Sequence, residues 1–165
     1  MGAAPKLQAH PLMSEKTISI FIESVQKVLQ TMAATRVTPE KAFLQKQFEC
    51  KGVVSAIVGI TAPPLKGNFI LTFSQECIVG IYNNMLGENQ TSLTDEVKDS
   101  VGEIANMIYG NAKTGLNEQG HHFQMAIPAV VVGEVFPTKE TRGATLVIPF
   151  KTAQAHQFYL QIIIT

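Results

Sequence analysis

Asp99, Glu103, Asn106, Gly110 and Lys113 follow one another at spacings of four, three, four and three. At about 100° per residue such positions share one face of a helix. A carboxylate, a carboxamide and an ammonium then project from neighbouring points of one surface, with Glu103 and Asn106 one turn apart. Gly110 comes a turn after Asn106. A glycine inside a helix costs about 1 kcal/mol relative to Ala, which is accounted for if something must approach the backbone there. Spacing alone leaves two readings open: a merely solvated helix face, and a face that a partner meets.

The other side of this stretch carries Val97, Val101, Ile104, Ile108 and Ala112, an apolar stripe that turns towards a core. The helix is expected from near Thr94, with Asp95 and Glu96 in its first turn, to about Asn117 or Gln119. An earlier helix is expected after Ser14 as N-cap, with Ile18, Ile22, Val25, Leu29 and Met32 inward, as far as about Ala34; Pro39 then acts as a breaker. Residues 53–60 are β-branched and read as a strand. Residues 62–68 carry turn chemistry, and 69–73 form the second strand of a hairpin. Ser74 caps a further helix whose Cys77, Ile78, Ile81, Met85 and Leu86 face inward and which Gly87 ends. Strands at about 129–135, 144–150 and 157–164 close the chain. They are expected to connect antiparallel, since no segment between them is long enough for a helical crossover. The final strand is apolar enough to be either central or an edge covered by another subunit.

The 165 residues suit one domain, expected over 14–165 behind a flexible segment 1–13. A hydrophobic share of 45% is ample for a core and excludes disorder. Thirteen Lys+Arg balance 13 Asp+Glu without a basic cluster, which argues against nucleic-acid binding. No apolar run approaches the roughly 20 residues that span a bilayer, so membrane insertion is not expected. No secretion signal opens the chain, and Cys50 and Cys77 are too few for a disulfide framework or a four-Cys zinc site. A cytoplasmic α+β protein is expected, and the sequon at Asn89 is discounted.

Other chemistry is set aside. His121 and His122 read as a polar turn rather than a metal site. Cys77 reads as a small buried hydrophobe, and Cys50, beside Lys51, has no spacing that makes it a nucleophile. Tyr109 could face a partner or the core. Glycine-rich phosphate loops and the nucleophile-elbow motif are missing.

The run from Asp99 to Lys113 resembles the signature helix of the CheX/CheC family of chemotaxis phosphatases. That family's pattern is Asp/Ser-x-x-x-Glu-x-x-Asn with a Pro further on. Asp99, Glu103 and Asn106 match it, and Pro128 is the candidate Pro, slightly closer than the pattern has it. Phe21 to Met32 looks like the family's first helix, and Val58 to Thr61 with Gly67 to Ser74 looks like its first hairpin. The resemblance implies a single-domain CheC/CheX-like α+β fold, with long helices packed on a mostly antiparallel β-sheet. It implies a phosphorylated response regulator of the CheY type as partner and hydrolysis of its aspartyl phosphate. Asn106 would position the attacking water, and Glu103 would pair with the regulator's Lys. Asp99, Gly110, Lys113 and Pro128 would support the site or the docked partner. No cofactor of its own is implied; Mg2+ would sit on the regulator. A homodimer is also implied. Ser19, Glu23 and Gln26 repeat the spacing with Gln in place of Asn, and a solvated face is the better reading of them. The alternative function is a non-catalytic regulator-docking or flagellar-switch-like module, against which Asn106 speaks, because docking alone needs no water-positioning amide.

Overall fold

Three helices begin where a hydroxyl can take up a first-turn amide. Ser14 accepts from Thr17 N at 3.1 Å, Ser74 from Cys77 N at 3.3 Å and Thr94 from Val97 N at 3.3 Å. They start α1 (Glu15–Ala33), α2 (Gln75–Leu86) and α3 (Asp95–Glu118). In this computed structural model residues 14–124, 126–136 and 143–164 are described; the expected N-terminal segment 1–13 lies outside them. Among these residues seven strands are found: β1 (Val37–Pro39), β2 (Phe43–Gln45), β3 (Val54–Ala62), β4 (Leu65–Phe73), β5 (Ala129–Val132), β6 (Thr145–Thr152) and β7 (Gln157–Ile164).

The strands form one sheet in the order β1-β6-β7-β4-β3-β5, with β2 also on β6, and every pairing is antiparallel. The α+β class expected from the sequence is the one observed. Alternation along the strands separates two faces. Val54, Ala56, Val58, Phe69, Leu71, Ile148, Phe158 and Leu160 share one core with the three helices. Ile70 and Ile163 face the other way, beneath Phe48 of the segment between β2 and β3. Phe158 stacks between Phe73 and Phe150, with ring centroids 5.1 Å apart on each side.

Several expectations need correction. β1 and β2 were not foreseen, and Pro39 ends β1 opposite Phe150 rather than merely stopping a helix. The turn at 62–68 contracts to Pro63-Pro64, because Ala62 pairs with Leu65 and β4 begins there. Gly67 must be glycine: a Cβ would collide with the Ile163 carbonyl oxygen on β7. β5 ends at Val132, before a turn in which Gly133 takes a φ of 96°. β7 lies between β6 and β4, so its apolar run is explained inside one chain and no longer argues for a covering subunit.

On α1 the buried positions are Thr17, Phe21, Ser24, Val25, Val28, Leu29 and Ala33, while Ile18 and Ile22 are only half-buried. Met32, expected inward, is 51% exposed, and Leu86 of α2, also expected inward, is 55% exposed. Both lie in the last turn of their helices, although on α1 the adjacent Ala33 is buried.

Candidate functional site

The orientation of α3 follows from its apolar stripe. Val97, Val101, Ile104, Ile108 and Ala112 are all buried, as the sequence predicts, and this fixes the helix's rotation. Two glycines let it lie close to its neighbours. A Cβ on Gly102 would come 3.0 Å from Val130 Cγ2 of β5, and one on Gly115 3.1 Å from Ile20 Cγ2 of α1. Sequence reasoning singled out Gly110 instead, above which nothing lies within 4 Å. No contact among the described residues requires a glycine there.

With the stripe inward, Asp99, Glu103 and Asn106 are exposed. Among the described residues, none of the three side chains is in a hydrogen bond or an ion pair. They line one wall of an open groove of about 710 Å³, together with Glu96. Its apolar part comes from Met32 at the end of α1, from Tyr82, Met85 and Leu86 on α2, and from Met107. Tyr82 is buried and shares a hydrogen bond with Glu88. That bond foremost, then burial and the charges of Glu88 and Glu96, pushes its phenol up to about 12. A raised phenol stabilises the fold below its ordinary value of 10.0, and this is lost only as pH climbs through about 12. The groove wall is therefore insensitive to pH around neutrality through this group.

The remaining expected residues are dispersed around the helix. Gly110 and Lys113 are half-buried, further along α3 and outside the groove lining. Pro128 lies on the opposite flank, where its Cγ would be 3.9 Å from a Cβ on Gly102. Sequence reasoning missed the groove itself. The available signal was Met32, Met85 and Met107, flexible apolar side chains of the kind found at adaptable contact surfaces.

Elsewhere the structural readings prevail. Tyr109 is buried; its hydroxyl donates to the Gln124 carbonyl oxygen at 2.6 Å and its ring meets Phe69 edge-on at 5.9 Å. Cys77 is buried, and burial, followed by the charge of Glu76, pushes its thiol up to about 12. The Cys50 sulfur accepts from Val135 N at 3.3 Å and donates to the Gly52 carbonyl oxygen at 3.4 Å. His121 packs edge-on to Phe123 at 5.6 Å and His122 is exposed. Among the described residues no three His, Cys, Asp or Glu are grouped to hold a metal ion, and no helix is long and apolar enough to cross a membrane. On α1, Glu23 is exposed as expected, but Gln26 is half-buried and donates to the Val37 carbonyl oxygen at 3.4 Å. Its amide is engaged in holding β1, unlike that of Asn106.

Chemically, Glu103 offers a carboxylate to a cation. Asn106 offers both a donor and an acceptor but no base, since a carboxamide binds no proton near neutral pH. Such a pair can orient and recognise; it cannot by itself carry a proton.

A family model described as "Chemotaxis phosphatase CheX" matches residues 54–151. The chain is 24% identical over 151 residues to the CheY-P phosphatase CheX of Thermotoga maritima, covering 91% of this chain and 96% of that protein. It superposes on a CheC-like superfamily protein from Shewanella sp. PV-4 with a TM-score of 0.82 and 36% identity, covering 92% of this chain and 99% of the other. It also superposes on a chain of the CheX–CheY–BeF3–Mg2+ complex from Borrelia burgdorferi with a TM-score of 0.74 and 25% identity, over 89% and 96%.

Proposed function

The chain belongs to the CheX family of chemotaxis phosphatases, and from that premise we propose that it binds a phosphorylated CheY-type response regulator in the cytoplasm and hydrolyses its aspartyl phosphate. The observation that carries this reading is the exposed Glu103–Asn106 pair, unengaged by any described residue and standing on a helix whose rotation the core fixes. The Thermotoga relative is named for the same activity, and the Borrelia relative was solved with CheY and a phosphoryl mimic.

In the docked state Asn106 enters the regulator's site and holds a water in line with phosphorus. The water oxygen forms a bond to phosphorus as the bond from phosphorus to the aspartate oxygen breaks. The aspartate leaves as carboxylate, and inorganic phosphate retains the water's protons after exchange with solvent. Positioning suffices as the protein's contribution, because phosphoryl transfer is catalysed mainly by orientation and electrostatics. Glu103 pairs with the regulator's active-site Lys and fixes the register. Mg2+ is a group of the regulator in this scheme, where it neutralises phosphoryl charge; the acids on α3 are spread along a helix face and form no cluster to hold one. Asp99, one turn before Glu103, supports the docked partner.

The test is phosphate release from a CheY-type regulator encoded in the same genome and charged with acetyl phosphate. Substoichiometric amounts of this chain are expected to shorten the lifetime of the phosphorylated form. An unchanged lifetime with demonstrated complex formation would leave a docking module.

A homodimer joined at the edge of β5, which no described strand pairs, is a further part of this reading. Val132 there is 52% exposed, and the flanking Ile127 and Phe136 are 93% and 71% exposed. Light scattering at micromolar concentration is expected to give twice the chain mass; a value near 18.0 kDa contradicts it.

A further inference from the structure

We infer that the groove beside Glu103 and Asn106 is a second contact for the same regulator, taking a surface segment in which an apolar side chain is flanked by Lys or Arg. The inference rests on the proposed function and adds what that function does not require, since a water-positioning amide and one carboxylate need no apolar groove.

Two independent features define the occupant. The first is misplaced apolar surface. Met32 and Leu86 lie at positions where helical periodicity predicts core, yet they are 51% and 55% exposed and converge with Met107 on one groove. Two exposed large apolar side chains, brought together from two helices beside the half-buried Met107 of a third, mark a contact surface more often than chance exposure does. Methionines suit a contact that must adapt its shape.

The second is charge. Glu96, Asp99 and Glu103 succeed one another at spacings of three and four, so like charges are stacked over roughly 10 Å of α3. Such neighbours repel; the N-terminus of α3 favours Glu96, but among the described residues no cation is paired with Glu96, Asp99 or Glu103. Among the described residues no Lys or Arg lines the groove, and the last turns of α1 and α2 contain no basic residue. Lys98, the nearest cation in sequence, is paired with Asp95 at 3.6 Å. The proposed pairing with the regulator's active-site Lys answers Glu103 alone. Glu96 and Asp99 remain to be met, and a basic partner surface meets them. The groove is continuous with the site through Asp99, Glu103 and Asn106, which line it. A regulator seated over Asn106 therefore extends naturally into it. An apolar tip between Met32, Leu86 and Met107, with cations facing Glu96 and Asp99, fits both features at once.

The experiment titrates each variant with the regulator loaded with beryllofluoride and Mg2+, and measures phosphate release alongside. Met32→Ser combined with Leu86→Ser is expected to raise Kd about tenfold. Leu86→Met alone, which keeps apolar bulk, is expected to bind as wild type. Glu96→Lys is expected to weaken binding by a similar factor, and Glu96→Gln to flatten the dependence of Kd on NaCl. For each groove variant the rise in KM is expected to outweigh any fall in kcat. A double Ser variant that binds like wild type while the wild type dephosphorylates the regulator overturns the groove inference and leaves the function standing. A wild type that binds without speeding phosphate loss overturns the function, while the titration still decides the groove. If the double Ser variant instead lowers the mass seen by light scattering and leaves the regulator's affinity unchanged, the groove belongs to a second copy of the chain and the inference is wrong.

Discussion

Asn106→Ala is expected to reduce stimulated phosphate release by about 100-fold or more, the scale on which a lost orienting group or a small misplacement acts. The protein is expected to remain folded. Asn106 is exposed and its side chain has no partner among the described residues, so nothing is vacated on truncation. Ala is also the better helix former, by up to about 0.7 kcal/mol. Loss of activity with unchanged or raised thermal stability therefore separates a functional residue from a structural one. Asn106→Asp sharpens the result. If the position worked as a base, a carboxylate would retain or improve turnover. If it orients water beside an anionic phosphoryl group, a second negative charge is repelled and the variant is as inactive as Ala. The second outcome is expected, and the rates of phosphate loss for the two variants side by side decide it.

Glu103→Ala is expected to act on association. A charge-assisted contact to a desolvated Lys contributes about 1.5–3 kcal/mol, so Kd for the beryllofluoride-loaded regulator should rise by about 10- to 150-fold. At saturating regulator much of kcat should persist, because Asn106 is still delivered. The isolated chain should not suffer. Asp99 lies one turn earlier on the same face, and removing one of two like charges at that spacing relieves about 0.2–0.5 kcal/mol of repulsion. An affinity equal to wild type, measured by titration, removes the salt-bridge assignment while leaving the role of Asn106 intact.

Where local chemistry decides structure, the sequence was readable. Ser14 and Ser74 each cap the helix they were expected to cap, and Thr94 caps the helix expected to start near it, because a hydroxyl beside the first turn needs no distant partner. The stripe from Val97 to Ala112 is buried throughout, since an amphipathic helix on a core face leaves little freedom in rotation. β1 and β2 were illegible for the opposite reason. Three residues carry no period, and both strands exist only because β6 offers its edge to them. The place of β7 was undecided because an apolar strand suits a central position and a covered edge equally, and only the pairing with β6 and β4 resolves it.

The same division runs through the site. Glu103 and Asn106 were recognisable because one helix presents both, and their exposure follows from the stripe behind them. The groove beside them is assembled from Met32, Leu86 and Met107 on three helices, a convergence to which no local pattern points. Met32 and Leu86 were assigned to the core by the periodicity that succeeds elsewhere in their helices. Periodicity describes a helix and not what covers it, so a terminal side chain left uncovered looks the same in sequence as one that is enclosed.

The most direct measurement is the structure of this chain bound to its regulator carrying beryllofluoride and Mg2+. The carboxamide of Asn106 is expected within hydrogen-bond distance of a water opposite the aspartate oxygen, with Glu103 against the regulator's Lys. A complex in which the regulator sits elsewhere, with Glu103 and Asn106 still facing solvent, would contradict the central claim outright.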